Sequence, residues 1–345
     1  MARVIQIEET SDELKKSLAR CFQSAHINFL IGSGASRPAI EIAGSLEQEI
    51  ADLAEAGNEE EARKKMYGFM AGIQEPMNKL IDELDDDANS ETNGHYCNLL
   101  RIIQTILTER RTSLLPKQAT IFTTNYDLFV ENASISNPAL KINDGFSRVP
   151  SLDNRMEYSS RNFFNTIYNT GNVYDYKVEI PSINLVKLHG SLSWKKIEDE
   201  ILFEITRQDI LPDDADADML RQYIDRYAVI LPQTAKFRTT LMDRTYYELL
   251  RIYANQLDRE NALLVSFGFS FGDEHILAIT KRALNNPTLK MIAFAFNEGD
   301  RLSLAERFEG YNNVDVIAPL EEKTIGFPEF NAILGSFLPA LGRAA

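Results

Sequence analysis

Four short segments of this 345-residue chain each place small or polar residues directly after a run of apolar residues. They read FLIGSGAS (29–36), FTTNYD (122–127), KLHGS (187–191) and VSFGFSFGDEH (265–275). A short apolar run bounded by turn residues is typical of a buried strand, and ligands of open α/β sheets bind beyond the carboxyl ends of the strands. The four segments therefore predict an α/β fold with a ligand site at the strand ends.

Strand and helix patterns alternate along the chain, which favours a parallel sheet. We predict strands at 27–31, 119–123, 184–188, 228–231, 262–267, 291–296 and 314–317, and helices at 11–25, 244–258 and 274–283. A helical insertion or small domain is predicted over 45–115, with Pro76 and an acidic loop near Asp86 separating its helices. The predicted fold class is α/β, a Rossmann-like parallel sheet flanked by helices and carrying this helical insertion.

The surface charge excludes some classes of partner. The chain has 51 acidic against 36 basic residues, a net charge of −15, and no basic cluster denser than Arg110-Arg111 or Lys195-Lys196. Such a surface repels phosphate backbones, so we expect no direct nucleic-acid binding. No apolar run reaches transmembrane length and the N-terminus lacks a signal-peptide pattern, which predicts a cytoplasmic protein without membrane attachment.

Cysteine is scarce, with only Cys21 and Cys97 in the chain. Two isolated thiols suit a reducing compartment and cannot form a four-cysteine zinc site, so we expect no metal.

The glycine turn after the first strand suits an anionic ligand. Gly32 and Gly34 would let the backbone approach a pyrophosphate, whose charge the N-terminus of the next helix would stabilise. The turn is not the dehydrogenase fingerprint, because Arg37 occupies the third glycine position. By itself a Gly-x-Gly pattern is more often an ordinary tight turn, so its neighbours in the sequence must decide between the two interpretations.

Taken in order, Gly-Ser-Gly-Ala-Ser, Thr-Thr-Asn-Tyr-Asp, His-Gly and Gly-Phe-Ser resemble the NAD-site motifs of the sirtuin family. In that family the first motif cradles the phosphates. An Asn and an Asp of the second approach the nicotinamide ribose, a His of the third is the catalytic base, and the fourth lines the floor of the site. The resemblance spans roughly residues 20–320 and implies a sirtuin-like NAD-binding catalytic domain over 18–345.

Carried over position by position, the resemblance implies catalytic roles for Asn125, Asp127 and His189. It implies NAD contacts from the remaining motif residues and from a later strand end, where an Asn holds the adenosine ribose. These residues are Gly32, Ser33, Gly34, Ala35, Ser36, Thr124, Gly268, Ser270 and Asn297.

The chain also departs from the protein-deacylating sirtuins. It lacks their four-cysteine zinc ribbon, carries the helical insertion instead, and reads Thr-Thr-Asn where Thr-Gln-Asn is usual. The segment Gly-Phe-Ser-Phe-Gly-Asp-Glu-His resembles a bacterial sirtuin-like branch known from antiphage defence. Members of that branch hydrolyse NAD, and several work beside a partner such as a HerA-type ATPase or an Argonaute.

These residue types suit the cleavage of NAD. Nicotinamide departs neutral while positive charge grows on the ribose, which a carboxylate such as Asp127 can stabilise. Asn125 can hold the ribose or a water, and His189 can deprotonate a hydroxyl near neutral pH. Alternatives remain for two residues: Asn125 as the N-cap of a helix that begins at Tyr126 or Asp127, and His189 as a packed loop histidine.

Asp273 and His275 lie in the fourth motif but are expected to be structural. We predict that Asp273 is the N-cap of the helix at 274–283 and that His275 is a surface residue of its first turn.

The sequence thus predicts an NAD glycohydrolase that yields nicotinamide and ADP-ribose, as a partner-activated effector of antiphage defence. The alternatives are a sirtuin-type transferase (deacylase or ADP-ribosyltransferase) and a non-catalytic NAD or ADP-ribose sensor. We also expect a homo-oligomer that docks a protein such as a HerA-type ATPase. This expectation rests on Leu99, Ile103 and Ile106, apolar positions of the insertion that could form an interface or could simply pack its helices together.

Overall fold

The computed structural model describes residues 2–7, 12–42, 46–110, 114–171, 177–198, 200–212, 215–229, 240–336 and 338. Its strands are β1 (Arg3–Gln6), β2 (His26–Ile31), β3 (Gln118–Thr123), β4 (Lys141–Asn143), β5 (Tyr168–Asn169), β6 (Val178–Glu179), β7 (Ser182–Lys187), β8 (Gly190–Ile197), β9 (Glu200–Phe203), β10 (Tyr227–Val229), β11 (Ala262–Phe267), β12 (Lys290–Phe294) and β13 (Val314–Ala318). Its helices are α1 (Asp12–Ser24), α2 (Leu46–Glu55), α3 (Glu59–Ile81), α4 (Asp87–Thr108), α5 (Phe129–Ile135), α6 (Ala217–Asp225), α7 (Thr240–Leu257), α8 (Glu274–Ala283), α9 (Glu298–Arg307) and α10 (Phe327–Ser336).

Eight strands form one sheet in the order β1-β13-β12-β11-β2-β3-β7-β4, and every pair of neighbours is parallel. Successive side chains of a strand point to opposite faces, so each strand feeds two cores. Phe29 of β2 and its partner Ile121 of β3 enter one core, whereas Leu30 and its partner Phe122 enter the other. The predicted α/β fold, a Rossmann-like parallel sheet flanked by helices, is confirmed.

Some predicted elements are confirmed in place and extent, and one predicted strand belongs to a different sheet. The strand at 262–267 and the helix at 274–283 have the predicted bounds. The segment predicted at 228–231 forms β10 of a separate sheet, in the order β10-β8-β9, where it pairs antiparallel with β8. Residues 230 and 231 lie outside the described part of the chain.

The predicted break at Pro76 is wrong, because Pro76 lies inside the continuous helix α3. Buried hydrogen bonds hold the helix on both sides of the proline. Tyr227 donates to Gln74 Oε1 at 2.9 Å, and Asn78 Nδ2 donates to the Gln208 carbonyl at 2.7 Å. These tertiary contacts outweigh the backbone hydrogen bond that proline removes. The break near Asp86 is confirmed, since this residue is the N-cap of α4.

The helices of the insertion pack in two directions: α3 lies against α2 and α6, whereas α4 lies against α5 and α10. Leu99, Ile103 and Ile106 of α4 are buried within the chain. They therefore pack helices together within the chain, which was the alternative to an interface. Their burial gives no support to an interface between chains. No helix among the described residues combines the length and apolar character that crossing a membrane requires.

Candidate active site

A cleft opens beyond the carboxyl ends of four strands that are adjacent in the sheet: β11, β2, β3 and β7. All four sequence segments contribute to its wall. The lining residues are Ser33, Ser36, Ile40, Glu41, Ile42, Phe69, Ile73, Thr124, Asn125, Tyr126, Asp127, His189, Gly268, Phe269, Ser270, Gly272 and Asp273. The space between these residues is about 900 Å³, part of it open solvent. A concave site with apolar and polar walls at this edge of the sheet is where open α/β folds bind small molecules.

The turns after β2 and β11 touch each other through their backbones. Gly32 N donates to the Phe267 carbonyl and Gly34 N to the Gly268 carbonyl, both at 3.0 Å. A Cβ atom on Gly32 would lie 2.3 Å from the Gly268 oxygen, and Gly268 itself has φ +64°. Close packing between the two turns therefore requires glycine at these positions, whatever the ligand.

This packing limits which residues of the glycine turn face the cleft. Ala35 N donates to the Gly32 carbonyl, so the N–H groups of Gly32, Gly34 and Ala35 are all engaged within the protein. Ser33 and Ser36 line the cleft. The turn continues as the 3₁₀ helix Ser33–Ser36, and the next α-helix of the chain, α2, begins at Leu46.

The side chain of Asn125 is fixed by the turn after β2. Its Nδ2 atom donates to the Gly32 carbonyl at 3.0 Å and to Ser36 Oγ at 2.9 Å. Because a carbonyl can only accept, these bonds fix which end of the amide is nitrogen. The other end, Oδ1, is buried and has no hydrogen-bond partner among the described residues. Buried polar atoms are nearly always paired, so this oxygen is available to accept a hydrogen bond from a water or from a ligand.

The helix-cap interpretation of Asn125 is wrong. The helix after β3 is α5, which begins at Phe129 and has Leu128 at its N-cap position. The backbone N–H of Phe129 instead donates to Asp127 Oδ1 at 3.2 Å. Asn125 therefore contributes to the cleft, and Asp127 supports the start of the helix.

His189 lies on the turn between β7 and β8, where its Nε2 atom is 3.0 Å from Asp273 Oδ2. The imidazole lies near the rings of Tyr126 and Tyr246, at centroid distances of 6.4 and 6.1 Å. Burial alone would raise the pKa of Asp273. Hydrogen bonds from His189 and from the N–H groups of Ile276 and His275 outweigh that effect and lower the pKa. The site thus pairs an ionised carboxylate with the imidazole.

Residues 119–317, more than half of the chain, match the family described as SIR2-like domain. The chain belongs to the SIR2-like family. SIR2-like domains use NAD, so this match indicates an NAD-related activity. The matched range runs from β3 to β13 and includes Asn125, His189 and Asp273, while the glycine turn precedes it. No curated protein matches the chain.

A buried ion pair lies beneath the site of this SIR2-like chain. Lys187 Nζ is 2.8 Å from Glu131 Oε1, 3.0 Å from Ser191 Oγ, and also donates to the Asp127 carbonyl. Burial raises the pKa of Glu131 even though Lys187 acts in the opposite direction. The pair ties the turn that carries His189 to the turn that carries Asp127. Neither Lys187 nor Glu131 was predicted as a site residue, because a lysine in a strand pattern gives no sign of being buried.

Other sequence candidates are placed as follows. Asp273 is the N-cap of α8 as predicted, and His275 is exposed in its first turn. Thr124, Gly268 and Ser270 line the cleft. Asn297 lies outside it, at the end of β12, where its side chain accepts a hydrogen bond from Asp300 N at 3.0 Å and caps α9.

One feature of the SIR2-like site, an apolar wall, was not predicted. Ile40, Ile42, Phe69 and Ile73 form an apolar wall on the side of the helical insertion. Within the described residues there is no group of three or more His, Cys, Asp or Glu side chains that could hold a metal ion.

Proposed function

We propose that this SIR2-like protein is an NAD glycohydrolase, which cleaves NAD with water to nicotinamide and ADP-ribose. The observation that supports it most is the buried Oδ1 atom of Asn125, which lies in the same cleft as the His189–Asp273 pair and has no hydrogen-bond partner in the described part of the chain. An amide oxygen held at this position can accept a hydrogen bond from a ribose hydroxyl or from the attacking water. The residue types therefore fit the nicotinamide-ribose end of NAD.

The acidic lining of the cleft suits the charge that develops during cleavage. The bond between nicotinamide and the ribose C1′ breaks, and nicotinamide leaves with the electron pair as a neutral molecule. Positive charge then grows on the ribose, where Asp127 can stabilise it. Asp127 is buried, so its electrostatic effect is screened less than that of a surface carboxylate.

His189 takes the proton that this reaction releases. Because the pKa of Asp273 is lowered, its carboxylate is ionised and accepts a hydrogen bond from Nε2. Nδ1 is then the basic nitrogen, available to deprotonate the water or a ribose hydroxyl. Water adds to C1′, and the proton leaves the site through the imidazole.

Hydrolysis is favoured over transfer to a protein acceptor by one observation. The two cysteines of the chain cannot form the four-cysteine ribbon of protein-deacylating sirtuins.

The test is incubation of the protein with NAD, in the presence of an activating partner, with and without an acetyl-lysine peptide, followed by chromatography. We expect equal release of nicotinamide and free ADP-ribose, unchanged by the peptide. Deacetylation of the peptide with formation of O-acetyl-ADP-ribose would identify a transferase instead. Binding of ADP-ribose without turnover, with and without a candidate partner, would identify a sensor.

We further propose that the enzyme acts in the cytoplasm as an effector of antiphage defence, as a homo-oligomer activated by a partner such as a HerA-type ATPase. The support is the resemblance of residues 268–275 to the bacterial branch with that role. Light scattering of the protein alone and mixed with a HerA-type ATPase would test assembly. A monomer with full activity by itself would contradict the regulatory part of this proposal.

A further inference from the structure

The two carboxylate oxygens of Asp273 have separate partners. Oδ1 accepts hydrogen bonds from the backbone N–H groups of His275 and Ile276, at 2.9 and 3.0 Å, and so caps α8. Oδ2 lies 3.0 Å from His189 Nε2. One oxygen is sufficient for the cap, as it is for Asp216 at the start of α6. The second oxygen of Asp273 is therefore available for another role.

We propose that Asp273 is a positioning residue, which holds His189 in the tautomer that carries its hydrogen on Nε2 and presents Nδ1 to the cleft. The catalytic consequence of this proposal rests on the proposed function, whereas the tautomer itself does not. An ionised carboxylate can only accept a hydrogen bond, so Nε2 must be the donor. The same bond fixes the plane of the imidazole ring, because the ring is then held at Nε2 as well as by its covalent bond to Cβ.

The loop before Asp273 is held firmly enough for this role. Phe271 is fully buried and has φ +56°. This left-handed backbone conformation costs free energy in a residue with a side chain of this size. Its ring packs against Phe308 at a centroid distance of 4.9 Å, and its carbonyl accepts a hydrogen bond from Arg307 Nη1 at 3.0 Å. Packing thus maintains a strained backbone two residues before the carboxylate, as is common at functional sites.

Other titratable groups face His189 from the surrounding elements. Asp127 and Glu41 line the same cleft, and the rings of Tyr126 and Tyr246 lie near the imidazole. The remaining groups lie beyond these: Lys187 pairs with Glu131 beneath the site, and His275 faces Tyr246. Of the carboxylates among these groups, Asp273 lies at hydrogen-bond distance from the imidazole, 3.0 Å from Nε2.

Asp273→Asn separates the two roles. Asparagine is as good an N-cap as aspartate, so its Oδ1 preserves the start of α8. Its amide nitrogen would then face Nε2 and, being a donor, would drive the hydrogen of His189 to Nδ1. The matched control is Asp216→Asn, which makes the same change at an N-cap of α6, outside the cleft.

The first measurement is ¹⁵N–¹H NMR of histidine-labelled protein, which is tractable because the chain has four histidines. His189→Gln assigns the His189 ring. We expect the Nε2–H tautomer in wild type and in Asp216→Asn, and the Nδ1–H tautomer in Asp273→Asn. The Nε2–H tautomer in all three proteins would overturn the proposal, even if the protein cleaved no NAD.

The second measurement is the kinetics of nicotinamide release. In Asp273→Asn we expect kcat to fall by about 10²–10⁴ with KM nearly unchanged, since a base in the wrong tautomer cannot accept the proton. Activity within about threefold of Asp216→Asn would overturn the positioning role, since that loss is far below the expected scale.

Discussion

Ser36 donates a hydrogen bond of 2.6 Å to Asp127 Oδ2 and so joins the turn after β2 to the turn after β3. The same hydroxyl accepts a hydrogen bond from Asn125 Nδ2 at 2.9 Å. One buried serine therefore orients both of the polar side chains that the second segment brings to the cleft. The arrangement follows from the topology, because β2 and β3 are parallel neighbours whose carboxyl ends meet at one edge of the sheet.

Ser36→Ala should lower both stability and activity. It leaves the buried Asp127 Oδ2 atom without its donor, which we expect to cost about 1–3 kcal/mol in the free energy of unfolding. Nicotinamide release should fall at least about tenfold, because Asn125 loses an anchor and positioning strongly affects rate. Urea unfolding and the nicotinamide assay measure the two effects. Ser24→Ala is the control, since it removes an exposed bond to the Arg20 carbonyl and should change stability by less than about 0.5 kcal/mol.

His189→Ala should abolish most turnover and leave the fold intact. Loss of a general base typically costs a factor of about 10²–10⁴ in rate. The assay is nicotinamide release by an activated preparation, with thermal unfolding as the check on folding. His275→Ala, at an exposed residue near the same cleft, should retain wild-type activity. Retention of more than about a third of the activity in His189→Ala would remove this residue from the mechanism.

Asn125→Ala should be similarly inactive but should still bind ADP-ribose. The substitution removes the amide oxygen that the reacting ribose or water needs, while Ser33 and Ser36 remain in the cleft wall. Titration calorimetry with ADP-ribose measures binding, and urea unfolding measures the loss of the hydrogen bond to Gly32. A folded variant that gives no heat of binding would assign Asn125 to ligand binding and not to turnover.

The sequence predicted the strands that pass through the centre of the sheet, because central parallel strands are buried on both faces and appear as continuous apolar runs. β11 and β13 are examples, buried at every position. The same reasoning missed β1, a four-residue edge strand whose residues are mostly exposed. It also misjudged Pro76, because the buried polar contacts of Gln74 and Asn78 are invisible to a rule based on local propensity.

Residues of the candidate site could be predicted from the sequence, but the hydrogen bonds between them could not. The motifs indicated Asn125 and His189, and the parallel sheet accounts for their meeting at one edge. The bond between His189 and Asp273 joins residues 84 positions apart in the chain, and the helix-cap interpretation of Asp273 was correct yet incomplete. A single sequence does not show that two oxygens of one carboxylate serve two partners.

His26 should make the protein less stable as the pH falls from about 6.5 to about 4. Burial, together with Arg259 and Arg110, lowers the pKa of His26 from 6.5 to about 4. Between these two values the unfolded chain binds a proton that the folded chain does not, so stability decreases as the pH decreases. Below a pH of about 4, His26 is protonated in both the folded and the unfolded chain, so it causes no further loss of stability.

The test is His26→Gln, which removes the titrating group and keeps a polar side chain at the start of β2. Urea unfolding at pH 7, 6, 5 and 4 should show a shallower loss of stability in this variant than in wild type. His275→Gln, at an exposed histidine, should keep the wild-type slope. Equal slopes in wild type and His26→Gln would show that other groups determine the acid sensitivity of the fold.

Gly32→Ala should destabilise the protein and abolish activity, because the added Cβ would lie 2.3 Å from the Gly268 oxygen and 2.7 Å from the Phe269 Cα atom. Both contacts are backbone atoms, so the turns after β2 and β11 must separate, at a cost of about 1–3 kcal/mol or more. The turn after β2 also carries Ser36 and the carbonyl that orients Asn125, so turnover should fall with stability. Gly94→Ala is the control: this glycine lies in α4 with nothing near its Cβ position, and alanine should stabilise the helix by about 0.5–1 kcal/mol. Unfolding curves that move the same way in both variants would contradict the close approach of the two turns.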